Sequence, residues 1–527
     1  MKKTLLLTGL AAMLAACCPS RCDKMEQINA QAAKEYLIPI RPATEGRNPC
    51  WNGFARKFIY APAFDFEAVD GAAAYRYTVS DTLRPEQQWT FQAETPQADL
   101  SPIWNDIYPA DVHLTVEALD KDGNVLSTVG ERDFLRDFPF QGPYPGKAMS
   151  YRESAMRAAL YIHRMPAVQA WKTQTVPDLS YQLNAYPNKM IGATLSNEAY
   201  IAQHVPALRD EALLIARQAA QFLIDQSRPE GHPLEFFPPT YYKDKASSGW
   251  AENVGTTMML DAIMAGKGFL NLFVATGDSL YLDRALKIAD TYQRYQYDDG
   301  SLPVKVNYET GKPTNNGRAM LEPLLSYVYR LRKEFGIGKY REMEEKANAW
   351  MHQYPLESFD FAGAFEDTYR LGNLQPYQNL TNCTAAPYAS YLLQQEQVSE
   401  QDLKDATDLI RMSEDQFVHW NFLPDPETGV RETPSPSVFE QYYCYEPVDD
   451  SSANMMQAYL DLYALTGDAL LLEKAKALMD HLTILQDQVT GMILSIDEPV
   501  EYFWIDCSVN TQNALLRLAD VVGEPEL

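Results

Sequence analysis

Three patterns of hydrophobic and polar positions follow one another along the chain. Leu5 to Ala16 is an apolar run broken only by Thr8 and Gly9, set between Met1-Lys2-Lys3 and Cys17. From about Cys50 to Phe138 apolar and polar residues alternate, as in Phe64-Asp65-Phe66-Glu67, Tyr75-Arg76-Tyr77-Thr78-Val79 and His113 to Leu119. A period of two places every second side chain on one face, the signature of half-buried strands. Val69-Asp70-Gly71-Ala72 and Asp120-Lys121-Asp122-Gly123-Asn124 supply turns between them. Short strands with turn signals over this span predict a β-sandwich at 50–138. Phe138-Pro139-Phe140-Gln141-Gly142-Pro143-Tyr144-Pro145-Gly146 is rich in Pro and Gly and predicts a linker over 139–149.

From 150 to 527 the pattern is helical and repeats. Asn271-Leu272-Phe273-Val274-Ala275-Thr276-Gly277-Asp278 is echoed by Asp461-Leu462-Tyr463-Ala464-Leu465-Thr466-Gly467-Asp468, 190 residues later. Each copy reads as the end of one helix, a Gly that stops it and an Asp that caps the next. The same alternation predicts outer helices near 209–227, 281–296, 341–353, 402–418 and 470–486. Less charged inner helices are expected to begin near 193, 253, 317, 380, 451 and 508. With a first helix near 150–164 that makes six helix pairs, and a repeat offset of three pairs is half of a closed ring. The predicted fold is therefore mainly α: an (α/α)6 toroid over 150–527 behind a small β-sandwich. Short turns join inner to outer helices on one face, so the long loops gather on the other, above the inner-helix N-termini. Long loops on a rigid scaffold and the positive ends of helices are where a site is expected.

The first residues carry an address rather than fold. A basic start, a short apolar core and small residues before a cleavage point describe a secretory signal over 1–22, too short to remain as a spanning helix. Leu14-Ala15-Ala16-Cys17 resembles the lipobox of bacterial lipoproteins, which implies acylation of Cys17 and membrane attachment through that lipid. Cys18-Pro19-Ser20-Arg21-Cys22-Asp23 lacks an acidic run, which favours the periplasmic side of the envelope over the cell surface.

Composition narrows the partners. A net charge of −26 excludes nucleic acid, whose phosphates need a basic face, but leaves room for a small basic pocket on an acidic body. The 32 Tyr and eight Trp offer flat apolar faces with a polar handle, suited to stacking on sugars. Cys50, Cys383, Cys444 and Cys507 are too sparse for a disulfide framework.

Two resemblances follow. FDFEAVDGAAAYRYTVSD resembles fibronectin type III-like modules. The Tyr/Trp-rich loops and the turn Asp299-Gly300-Ser301-Leu302-Pro303 resemble the polysaccharide-degrading (α/α)6-toroid lipoproteins of gut Bacteroidetes. The likeness is greatest to uronic-acid-acting glycoside hydrolases of the unsaturated glucuronyl hydrolase and exo-β-glucuronidase type. The resemblance implies a carbohydrate-active enzyme, most simply an exo-acting hydrolase releasing a terminal uronic acid from a plant or host glycan. No cofactor and no metal is called for: three Cys near inner-helix starts suggest the zinc-thiolate arabinofuranosidases of this fold, but their adjacent Cys pair is missing.

Glycoside hydrolysis needs an acid and a base or nucleophile, normally two carboxyls. Candidates at the inner-helix starts are Glu252, Asp299, Glu366, Asp449 with Asp450, Glu446 and Asp506. Any one of them also serves as a plain helix cap, and Asp298-Asp299-Gly300 as a plain turn. Glu252 and Asp449 stand out because Trp250 and Tyr242 precede the first, and Tyr443 and Tyr445 the second. Arg318 and Lys305, with Lys189 and Lys243, are candidates to hold an anionic sugar. Tyr443 with His232 or His419 would instead suit β-elimination by a polysaccharide lyase. A non-catalytic glycan-binding lipoprotein is a third reading.

Overall fold

The computed structural model describes residues 23–41, 52–243, 253–362, 375–424, 433–497 and 501–527. The chain is mainly helical with an N-terminal sheet region. It divides into two compact units: Met1–Gly146 with Ile410–Ser437 and Tyr459–His481, and Lys147–Leu409 with Val438–Ala458 and Leu482–Leu527. No described helix is long and apolar enough to cross a membrane.

The first unit is built on a five-stranded sheet. Its order is Lys57–Phe58, Val125–Arg136, Ala110–Leu119, Ala74–Asp81 and Gln88–Ala93. The first pairing is parallel and the others antiparallel. Ala63–Asp65 and Gln97–Asp99 form a separate ribbon. The alternation read from the sequence is realised: Tyr75, Tyr77 and Val79 are buried, and so are their neighbours Leu114, Val116 and Ala118 across the ladder. On the other face Arg76 meets Glu117 directly opposite at 2.6 Å. The buried face closes over Phe58, Phe64, Phe66, Trp104 and Phe134.

Charges are buried in this unit as well. Glu414, fully enclosed, accepts hydrogen bonds from Tyr36 (2.7 Å), Trp420 (3.0 Å) and Tyr60 (3.2 Å) and pairs with Lys474 at 2.7 Å. Asp415 accepts from the backbone N–H groups of Ile59 and Tyr60 at 2.6 and 2.9 Å. Carboxylates so enclosed persist only because each lone pair is met. These bonds fix the 23–41 segment and the first strand onto residues 410–420.

In the second unit the helix pairs appear as the repeat predicts. Gly277 stops the Ala262–Thr276 helix at φ 72°, and Asp278 caps Ser279–Tyr295 by accepting from Leu280 N–H at 3.0 Å. The second copy, in the first unit, repeats this with Gly467 at φ 68° and Asp468 on Leu470 N–H at 2.9 Å. The inner helices form a closed cycle. Gly192–His204 packs on Ala262–Thr276, which packs on Glu322–Phe335, and that on Asn382–Leu393. Asn382 Nδ2 donates to Ser451 O (3.0 Å) at the start of Asp449–Thr466, and Asn510 Nδ2 joins that helix to Ile505–Val522. Ile505–Val522 then packs back on Gly192–His204. Gly192 and Gly268 make the first crossing close, since a Cβ on Gly268 would lie 2.4 Å from the Gly192 carbonyl oxygen.

Two inner helices begin later than the sequence suggests. Residues expected to open a helix at 253 instead form the strand Thr256–Met258, paired with Lys305–Asn307, and the helix starts at Ala262. β-branched Thr256 and Thr257 favour the extended form. The next inner helix starts at Glu322 rather than near 317.

Candidate active site

The inner helices carry polar residues at helical spacing: Lys267 and Asn271; Glu322 and Ser326; Asp450, Asn454 and Gln457; Asp506, Asn510 and Asn513. Asp450, Asn454, Gln457 and Asn510 are hydrogen-bonded to one another. At the N-terminal end three charged groups interact. Lys267, half-buried, faces Glu322 and Asp450. Glu322 is buried on the first turn of its helix and accepts from Ser326 Oγ at 2.7 Å. Burial pushes its carboxyl up to about 7, with Lys267 opposing and Asp450 adding to the rise. Asp450 accepts from Asn510 Nδ2 at 2.7 Å and Asn454 Nδ2 at 3.0 Å. Burial raises Asp450 to about 6, its amide partners and Lys267 pulling it down and Asp506 pushing it up. Lys267 is itself lowered by burial and sustained by the two carboxyls. Glu322 and Asp450 thus both titrate near neutrality, and each feels the charge of Lys267. That is the requirement for paired acid and base chemistry.

The residues expected from the sequence are placed variously. Glu252, Trp250, Glu366 and the lipidation residue Cys17 lie outside the described residues. Asp449 is buried one position from Asp450, but its Oδ2 accepts from Thr511 Oγ1 at 3.0 Å. Burial and the Asp450 charge hold it well above the usual carboxylate range. Asp299 closes a turn, accepting from Ser301 N–H (2.9 Å) and Oγ (2.6 Å). Gly300 beside it sits at φ +90° with no room for a side chain against the Lys346 carbonyl. Asp299 is thus engaged by its own turn rather than gathered with Glu322 and Asp450.

Tyr443 is exposed, its backbone N–H held by Asn379 Oδ1 at 2.8 Å. Tyr445 packs on Phe439, ring centroids 4.7 Å apart. Tyr242 is buried edge-on against Phe222. Arg318 is exposed and lies 4.4 Å over the Tyr297 ring, while Lys305 is buried and bonded to Asn253. His232 spends both ring nitrogens on backbone, the Glu309 carbonyl at 2.7 Å and the Leu234 N–H at 3.0 Å. His419 belongs to the first unit, buried and paired with Asp137 at 2.8 Å. Neither His is presented as a free base, because each is committed to holding local structure. Cys383 and Cys507 are kept as protonated thiols by burial and by the acidic groups around them.

No family model matches the chain, and no characterised protein matches it in sequence. Solved structures do match it. A D-mannose isomerase superposes with a TM-score of 0.51 at 12% identity, over 72% of this chain and 100% of its own. A family 76 glycoside hydrolase from a bovine Bacteroides thetaiotaomicron strain gives 0.46 at 10% identity, over 89% and 98%. An unsaturated glucuronyl hydrolase specific for heparin gives 0.46 at 12%, over 71% and 98%. The likeness is one of fold.

Sequence reasoning missed Glu322 and Lys267. Both carry a signal: Lys267 is the lone charge in the apolar run Ala262-Ile263-Met264-Ala265-Gly266-Lys267-Gly268-Phe269-Leu270, and Glu322 opens a helix whose next turn offers Ser326. Asp450 was among the candidates, behind Asp449 in rank.

Proposed function

We propose that this protein is a carbohydrate-active enzyme, an exo-acting glycoside hydrolase that releases a terminal uronic acid from a plant or host glycan. One observation carries the reading: Glu322 and Asp450, each at the start of an inner helix and with carboxyls raised to about 7 and about 6, are electrostatically coupled to Lys267. At neutral pH Glu322 retains a proton to give to the leaving oxygen, and Asp450, ionised, serves as base or nucleophile. Lys267 sits where a sugar carboxylate would find a cation. The toroidal fold of the structural neighbours is compatible with this chemistry but does not assign it. A lyase built on Tyr443 with His232 or His419 is less well supported, since both imidazoles are already engaged.

The same proposal extends to the rest of the chain. The five-stranded sheet and its ribbon are read as a fibronectin type III-like module over 50–138, and residues 150–527 as the catalytic toroid. Residues 1–22 are read as a lipoprotein signal and anchor, with Cys17 acylated and the enzyme on the periplasmic side of the envelope. An anchored enzyme keeps its products where they are imported.

The test is a screen of the purified protein against uronic-acid-containing oligosaccharides, with product analysis. Release of monosaccharide that falls by about a hundredfold or more in Glu322→Gln and Asp450→Asn supports the proposal. Unsaturated products, isomerised sugar without bond cleavage, or binding without turnover would each replace it.

A further inference from the structure

A second feature of the inner-helix cycle stands apart from the acid–base cluster. A cavity of about 130 Å³ lies between the Gly192–His204, Ala262–Thr276 and Ile505–Val522 helices. Its lining includes Asn197, Tyr200, Asn271, Gln512, Asn513 and Leu516. Asn271 follows Lys267 by four residues and Asn513 follows Asn510 by three, so the cavity begins about one helical turn, ~5 Å, further toward the helix C-termini.

Two of its polar groups are buried and unanswered. Asn197 is 1% exposed, and its amide nitrogen donates to Ala159 O at 3.2 Å and Glu198 Oε1 at 3.1 Å. Those two acceptors fix the amide orientation, leaving Oδ1 as the atom without a partner. Gln512 is 3% exposed, and its Nε2 has no hydrogen-bond acceptor. Buried amide atoms of this kind cost free energy unless something meets them. Asn513, by contrast, is exposed and opens the cavity to solvent.

We infer that this cavity binds a small neutral polyhydroxy compound, a polyol or a single neutral sugar unit. An acceptor (Asn197 Oδ1) and a donor (Gln512 Nε2) in one small space match hydroxyl groups, which both give and accept. No charged side chain lines the cavity among the described residues. Arg330, which donates to the lining Asn271 at 2.7 Å, is already paired with Glu334 at 2.8 Å, which favours a neutral ligand over an anionic one. Tyr200 and Leu516 give an apolar surface for the C–H face of the ligand. The volume is about four times that of a liquid water molecule, which limits the ligand to the size of glycerol or a pentose unless part of it extends past Asn513. The pocket does not depend on the hydrolase reading.

Calorimetric titration of glycerol, D-xylose and D-glucose into the purified protein tests this, with Asp450→Asn, Gln512→Leu and Asn513→Trp in parallel. Saturable one-to-one binding of at least one probe is expected, unchanged in Asp450→Asn. Gln512→Leu should weaken it about tenfold, and Asn513→Trp, at an exposed position that leaves the fold intact, should abolish it. No saturable binding of any probe would overturn the inference. So would binding that survives Asn513→Trp, or binding lost in Asp450→Asn, which would place the ligand at the acid–base site instead.

Discussion

Replacing Glu322 by Gln separates the energetic cost of the site from its use. Glu322 is only 8% exposed, and its carboxyl is raised from an ordinary 4.5 to about 7. The folded state therefore binds this proton more tightly than the unfolded chain. Stability from this group is fully present below pH 4.5, and falls as pH rises towards 7. The difference of about 2.5 pH units, at about 1.4 kcal/mol each, amounts to roughly 3.5 kcal/mol. Gln cannot ionise, so Glu322→Gln escapes that loss. Urea unfolding of wild type and variant between pH 4 and 8.5 should show a stability gap that widens in favour of the variant between pH 4.5 and 7, then stays level. Activity should fall by about two to four orders of magnitude in the same variant, as expected when a general acid is removed. A gap that does not change with pH would refute the reasoning, because Glu322 would then titrate as an ordinary surface carboxyl.

Other expectations follow from named contacts. With Asp450 ionised above about 6 and Glu322 protonated below about 7, the pH–rate profile should be a bell with limbs near those values. Asn510→Ala removes a hydrogen bond that lowers the Asp450 carboxyl, so the acid limb should move up by about one unit and narrow the bell. Lys474→Met leaves the enclosed Glu414 without its cation and should cost about 3–5 kcal/mol in unfolding experiments, much of it recovered by adding Glu414→Gln. Gly300→Ala, at φ +90° against the Lys346 carbonyl, should destabilise the chain by at least about 1–3 kcal/mol, read as a lower unfolding midpoint.

Much of the fold was legible because it repeats. The two Thr-Gly-Asp turns state where one helix ends and the next begins, and the outer helices fall within a few residues of their expected bounds. Asn253 to Asp261 was read as helix because the spacing of the ring asked for one, whereas Thr256 and Thr257 pair with Val306 and Asn307 in a short ribbon. The site was less legible for a reason of helix phase. Asp449 and Asp450 are adjacent in sequence but about 100° apart around the helix. Asp450 shares its stripe with Asn454 and Gln457, while Asp449 shares its own with buried Ala453 and Met456. Reading those stripes would have favoured Asp450. Attention to the loops also passed over Lys267, whose charge lies inside an inner helix. The partners of Glu322 come from helices more than 50 residues away, and no local pattern announces them.

In the proposed reaction Glu322 and Asp450 together cleave a glycosidic bond. Its most direct test is monosaccharide release from uronic-acid-containing oligosaccharides by wild type, Glu322→Gln and Asp450→Asn at pH 6.5. Wild type should release the terminal sugar, and each variant should lose about a hundredfold or more of that rate while remaining folded. Folded variants that turn over substrate as fast as wild type would contradict the account.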